Sequence, residues 1–183
     1  NGLPINKILC STNVNDVLRR FIETGELAPE KTLPSVAPSM DIQIPSSLER
    51  LIFDITEGAL DFYSTLSKEH KAKLSEAEVI ELNHIFSSNT FLDDVIKTQI
   101  KSLYKEFDSI FDPHSVTSIR MALDNDDSVP TVAVASASPE KFSNVISPII
   151  ESFADVVINE KEEYLKLKND KFEINESIKA YFS

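Results

Sequence analysis

Three glycines in 183 residues, Gly2, Gly25 and Gly58, limit what this chain can fold into. The usual share is ~7%. Glycine lets a backbone turn through positive φ and approach a ligand closely. A backbone cradle for phosphate needs several glycines together, so that successive amides converge on the anion. No two of these three are neighbours, so the chain has no P-loop, no dinucleotide fingerprint and no other glycine-rich phosphate cup.

The stretch with the most organised chemistry is Pro130 to Phe142, PTVAVASASPEKF. Thr131 to Ala135 is a short apolar run rich in β-branched residues, the composition of a buried parallel strand. Ser136-Ala137-Ser138 follows, and Ser138-Pro139-Glu140 reads as a helix start, with Ser138 as N-cap and Pro139 in the first helical position. Such a turn in an open α/β sheet faces the ligand crevice. The first 25 residues repeat the theme. Asn6 to Leu9 reads as a strand, Ser11 to Asp16 as a polar cluster, and Val17, Leu18, Phe21 and Ile22 as a helix face capped by Asn15 and stopped at Gly25.

Between these units the chain reads as helical. Residues 26 to 45 form a loop with Pro29, Pro34, Pro38 and Pro45. Two capping-box patterns follow, Ser46 with Glu49 and Ser75 with Glu78. Residues 64 to 108 are expected to be wholly helical. A helix starting at Asn89 or Thr90 presents Leu92, Ile96, Ile100, Leu103 and Phe107 on one face. Asp112-Pro113 opens another through Val116, Ile119 and Leu123. The positions Val145, Ile146, Ile149, Ile150 and Phe153 extend the helix after Pro139, with Pro148 as a kink or early stop. Val156 to Ile158 is a candidate strand, Glu160 to Lys171 a charged helix or linker, and Ile174 to Phe182 a terminal helix. The fold class is therefore α/β with two or three parallel strands, fewer than a free-standing parallel sheet usually holds. The opening Asn1-Gly2-Leu3-Pro4 lacks an initiator methionine, and with the few strands it leads us to expect a piece of a larger protein.

A net charge of −12 argues against nucleic acid and anionic membranes as partners, because both require clustered Lys and Arg. No apolar run reaches the ~18 residues of a membrane span. One cysteine, Cys10, precludes an internal disulfide and fits a reducing, cytoplasmic setting. His70, His84 and His114 share no metal-ligand spacing with one another or with Cys10, so no metal site is expected. Ser136 or Ser138 with His114 would be the raw material of a hydrolase. The glycines of a nucleophile elbow are missing, however, with Ala137 and Pro139 in their place. His114 stands at a helix start, where a structural and a functional role are equally open. Three polar clusters remain at element ends: Thr12 to Asp16, Ser39 with Asp41, and Ser136 with Ser138. They suit one side of a small-molecule site, with no residue that reads as acid, base or nucleophile.

Four segments in order carry a family resemblance: Gly2-Leu3-Pro4-Ile5 leading to Thr12-Asn13-Val14-Asn15-Asp16-Val17-Leu18; Pro38-Ser39-Met40-Asp41-Ile42 followed by Leu48-Glu49-Arg50; Asp112-Pro113-His114-Ser115; and Ala135-Ser136-Ala137-Ser138-Pro139-Glu140-Lys141-Phe142. Across residues 1 to about 150 the chain resembles the threonine synthases and their threonine synthase-like relatives. The resemblance implies the C-terminal part of a pyridoxal-phosphate enzyme of fold type II, the tryptophan-synthase β-like fold. Residues 1–150 would then belong to the cofactor-binding large domain, with a helical insertion at about 54–108, and residues 151–183 to a C-terminal extension. The Schiff-base lysine and the glycine-rich phosphate loop lie upstream in the family, so no catalytic residue is expected here and the chain alone should not turn over. The implied partners are the missing N-terminal portion of the same enzyme and a small phosphorylated amino acid. The parent would convert O-phosphohomoserine and water to threonine and phosphate. The resemblance gives Ser136 the place of the hydroxyl that meets the cofactor's pyridine nitrogen, and Asn13, Asn15 and Asp16 the polar strand end on the cofactor side. Ser39 and Asp41, in a loop near the active site, and Ser138 are placed on the substrate side. Ser136 stands for the family's Thr and Ser138 for its His, Ala37 precedes Pro38 where the family has Ser, and Ser47-Leu48 replace Asn-Phe; together these departures leave room for a phospho-lyase acting on a related substrate. A module without catalysis, having lost the cofactor half, is the alternative of a different class.

Overall fold

The computed structural model describes residues 4–56, 58, 60–125 and 129–154. The candidate elements after residue 154 lie outside the described residues, as do Gly2 and Leu3 of the first motif. The chain is α/β, mostly helical, with a small parallel sheet.

Strand β1 (Ile8–Thr12) leads into helix α1 (Val17–Thr24). The helix buries Val17, Phe21 and Ile22 and ends as its sequence signals: Gly25 takes the left-handed conformation at φ 72° and donates its N–H to Phe21 O at 2.8 Å. The start differs from expectation. Asp16, not Asn15, occupies the cap position, and its carboxylate binds Arg19 and Arg20 instead of the helix amides.

Strand β2 (Glu26–Leu27) pairs antiparallel with β3 (Ala72–Lys73). Between them run the proline-rich loop, a 3-10 turn at Pro38–Met40, and helices α2 (Leu48–Thr56) and α3 (Leu60–Glu69). Helix α4 (Glu76–Ile85) carries the capping box in full: Ser75 Oγ accepts from Glu78 N, and Glu78 Oε2 accepts from Ser75 N.

Residues 64 to 108 are not wholly helical. Besides β3, the segment Phe86–Thr90 is strand β4, and this is the parallel partner of β1, in register from Ile8 opposite Phe86 to Thr12 opposite Thr90. Its sequence, FSSNT, is too polar to announce a strand. Pairing with β1 decides its conformation, with Thr12 Oγ1 and Thr90 Oγ1 2.9 Å apart across the pair. Helix α5 (Asp93–Phe107) therefore begins later than Asn89 or Thr90. Of its expected face, Ile96, Ile100 and Leu103 are buried, while Leu92 and Phe107 are exposed.

Helix α6 (Pro113–Asp124) starts as expected, with Asp112 accepting from His114 N and Ser115 N. The expected strand at Thr131–Ala135 does not form. The segment pairs with no strand among the described residues, and Val132 and Val134 are 85% and 69% exposed. β-branched residues favour extended backbone, but a strand exists only where a neighbour supplies the ladder. The helix expected from Pro139 onward is a 3-10 turn (Pro139–Phe142) and a short α7 (Ser143–Ile146), which ends before Pro148 as that residue requires.

Two apolar clusters hold these elements. One gathers Val17, Phe21, Ile52, Phe62, Leu66 and Leu82 from α1–α4 and Leu27 from β2, with Phe62 edge-on to Phe21 and Tyr63. The other joins Ile96, Ile100, Leu103, Val116 and Met121 of α5 and α6 to Ile146, Ile150 and Phe153. Helix α6 packs on β1, and α1 on β4. The strand pair thus brings the loop after β1 next to the start of α6.

Candidate functional site

The three polar clusters meet in different ways. Asn13 and Asn15, expected to face a cofactor, are buried in a latch that closes the proline-rich loop. Asn13 Nδ2 donates to Ser35 Oγ and to Asp41 Oδ1, each at 2.7 Å, with Ala37 O at 3.2 Å. Its Oδ1 accepts from Asn15 N at 2.9 Å and from Asn15 Nδ2 at 3.2 Å. Asn15 reaches Leu33 O and Asp41 Oδ1 through Nδ2, and its Oδ1 accepts from Leu33 N. Asp41 is the shared acceptor, receiving Ser35 N and Ser35 Oγ as well. A buried amide must fill its donors and acceptors within the protein, and these two do so against the loop that carries Ser39. Asp16 is committed to Arg19 and Arg20. Burial pushes its carboxyl up, but hydrogen bonds from the two guanidinium groups outweigh that and hold it below the usual range.

Beside this latch lies a cavity of about 430 Å³, lined by Ser11, Ser39, Met40, His114, Thr117, Ser118, Val134, Ser136 and Ala137. Three of the four motif segments contribute to it directly: Ser39 and Met40, His114, and Ser136 with Ala137. Its walls offer hydroxyls and one imidazole, and among the described residues that line it none carries a carboxylate, ammonium or guanidinium. Asn13, Asn15 and Asp16 are not among the lining residues, and Asp41 stands behind the wall in the latch. Ser138 is exposed, and its hydroxyl makes no cap bond to the turn that follows. A larger hollow of about 600 Å³ lies around α2, α3 and α4, but it contains none of the motif residues.

His114 has both ring nitrogens engaged. Nε2 accepts from Ser39 N at 3.0 Å, so the proton sits on Nδ1, which donates to Asp112 Oδ1 at 2.8 Å. The ring is buried and tilted against Phe142, with centroids 4.5 Å apart. His114 thus links Asp112 to the Ser39 backbone while its ring lines the cavity. Asp112 is fully buried. Burial raises its carboxyl, but bonds from the His114 and Ser115 side chains and from both their backbone amides prevail and hold it below the usual carboxylate range. Ser115 Oγ donates to Asp112 Oδ2 and accepts from Ser136 N at 3.1 Å. Ser118 Oγ donates to Val134 O at 3.0 Å. Across the cavity floor Ser11 Oγ and Thr117 Oγ1 lie 2.8 Å apart.

Sequence reasoning placed Ser11 in the polar cluster after the first strand without a role of its own, and did not single out Thr117 and Ser118. The hydroxyls at 114 + 3 and 115 + 3 on α6 were a helical-spacing signal, but their role depends on partners about 16 and 106 residues away. Cys10 is half-buried, and burial raises its thiol. His70 and His84 are exposed, as expected. Among the described residues no group of three or more His, Cys, Asp or Glu stands close enough to hold a metal ion, and no helix is long and apolar enough to cross a membrane.

No protein-family model matches the chain. It is 28% identical over 151 residues to the threonine synthase of Pseudomonas aeruginosa, an alignment covering 79% of this chain and 32% of that protein. It is 30% identical over 153 residues to threonine synthase-like 1 of Pongo abelii, covering 79% of this chain and 20% of the relative. The crystal structure of PLP-bound threonine synthase from Brucella melitensis superposes with a TM-score of 0.77 at 29% identity, covering 81% of this chain and 33% of that one. The chain thus spans a third or less of the length of these relatives.

Proposed function

We propose that this chain, which belongs to the threonine synthase family with its threonine synthase-like members, supplies one wall of a pyridoxal-phosphate site completed by the rest of a longer polypeptide. The observation that carries this reading is the convergence of three separated motif segments on one hydroxyl-lined cavity. The likeness to a PLP-bound threonine synthase supports it. In the finer reading, residues 1–150 are the C-terminal part of the type II cofactor-binding domain, working in the cytoplasm. The whole protein converts O-phosphohomoserine and water to threonine and phosphate.

The donor set suits one side of the cofactor. Ser136, exposed on the cavity wall, offers a neutral hydroxyl to the pyridine nitrogen. A hydroxyl does not hold a proton on that nitrogen as a carboxylate would, so it moderates the ring's electron withdrawal. When bound, pyridoxal phosphate supplies the electron sink for carbanion chemistry on an amino acid. Among the described residues no lysine lines the cavity, and no two glycines of the chain stand close together in sequence; on this reading the anchoring lysine and the phosphate cup come from the rest of the longer polypeptide. Asn13 and Asn15 act through the latch, holding the Ser39 loop against the cavity on the substrate side.

A phospho-lyase on a related substrate is the second reading. It is favoured by Ser138, where the family has His, and by the 30% identity to threonine synthase-like 1. The test is the full-length protein with O-phosphohomoserine, following phosphate release and identifying the organic product. Threonine supports the first reading, and a different dephosphorylated product the second. A full-length protein with no visible absorbance from bound cofactor sinks both. Ser136→Ala is expected to lower kcat, and unchanged turnover would remove Ser136 from the ring-nitrogen position.

A further inference from the structure

The two walls of the cavity are tethered to one buried carboxylate. We propose that Asp112 and His114 are positioning residues that fix both walls at once: the Ser39 loop through the imidazole, and the Ser136 segment through Ser115. The importance of that geometry rests on the reading of the cavity as a ligand wall; the tethering itself does not.

Neither wall has a ladder to hold it. Pro38–Met40 is a single 3-10 turn, and the backbone before Ser136 pairs with no strand among the described residues. Segments of this kind depend on what their few polar atoms meet; beside the Asn13–Asp41 latch on the first wall and the Ser118 bond to Val134 O on the second, each has one bond that leads to Asp112. At the first wall, Ser39 N meets His114 Nε2 at 3.0 Å. That bond exists only for the tautomer protonated on Nδ1, and Asp112 Oδ1, 2.8 Å from Nδ1, selects that tautomer. At the second wall, Ser136 N meets Ser115 Oγ at 3.1 Å. That oxygen presents its lone pair to Ser136 because its proton is given to Asp112 Oδ2. The two carboxylate oxygens therefore serve one wall each. The same group also caps α6, so both tethers share the helix's own register.

The carboxylate's position also bears on what the cavity accepts. Asp112 takes up the helix-start amides of His114 and Ser115, which have no partner within the helix. That end of the helix is thus closed to an anion, and the walls present side-chain hydroxyls instead.

Amide hydrogen exchange on the ¹⁵N-labelled chain tests this, together with the through-hydrogen-bond nitrogen–nitrogen coupling between Ser39 and His114. In the unmodified chain the coupling is expected to be present, and its absence overturns the proposal. His114→Phe keeps a ring against Phe142 but has no nitrogen. It should speed exchange at Ser39 about 10-fold and leave Ser136 alone. Ser115→Ala should do the reverse, and Ser115→Thr should restore Ser136. Asp112→Ser retains a helix cap but is too short to serve both partners. It should release both amides while the middle of α6 stays protected. Release of only one wall by Asp112→Ser, or equal loss of protection along all of α6, overturns the shared tether. If Asp112→Ser does not fold, the selective pattern of the His114 and Ser115 variants decides the matter in the same terms. None of these readouts involves a ligand, so a full-length protein that binds no cofactor would defeat the functional reading and leave this one standing.

Discussion

Asn13→Ala tests whether the first polar cluster is a latch. The Asn13 side chain is fully buried, so no water replaces what the substitution removes. Its amide has two protons, and the two shortest contacts, to Ser35 Oγ and Asp41 Oδ1, use both. Its oxygen accepts twice from Asn15. Four bonds, two of them fully buried, at about 1 kcal/mol each put the loss near 4 kcal/mol. Domains of this kind have only about 5–15 kcal/mol in total. With a urea slope of about 2 kcal/mol per M, the unfolding midpoint should fall by about 2 M. The loss should also be local. Lys31 is exposed in the loop the latch closes, and tryptic cleavage there should accelerate below the unfolding transition. A midpoint shift under about 0.5 M, with Lys31 as resistant as before, would refute the latch and return Asn13 to the cavity side.

Gly25→Ala forces an L-residue to φ 72° and drives a Cβ into Val79 Cγ2. We expect a cost of about 2–4 kcal/mol in chemical denaturation. Adding Val79→Ala should recover the steric part only, and full recovery would show that φ carries no strain. Asp112 has its folded-state pKa lowered, so its stabilisation is present above the unfolded value of about 3.9 and is lost as pH falls through the folded one. Asp112→Asn should flatten the acid limb of stability against pH, and an unchanged limb would argue against the bonds from His114 and Ser115. Val132→Lys and Val134→Lys, at exposed positions, should change the stability of this chain by less than about 0.5 kcal/mol. A larger loss by thermal denaturation would mean that the segment is covered.

Much of the local architecture is legible in the amino-acid order. The stop of α1 at Gly25, the capping box at Ser75 and Glu78, the Asp112-Pro113 start of α6 and the break before Pro148 all appear where the residues put them. Each depends on energies within one turn of backbone: an αL residue, an orphan amide, a missing N–H. The motif segments could likewise be seen to be polar element ends, and the lack of clustered glycines removed phosphate cups from consideration.

The tertiary structure decided what those ends face. Phe86–Thr90 is a strand and Thr131–Ala135 is not, against their compositions, because a ladder is a property of two segments and only the first has β1 beside it. Asn13 and Asn15 turn into the loop, and His114 is a fixed link between Asp112 and Ser39, because buried polar atoms go where partners exist. Those partners lie 18 to 28 residues away for the asparagines and 75 for the Ser39 amide. Capping and periodicity read only a few residues along the chain. The cavity is built from contacts between segments that no local pattern brings together.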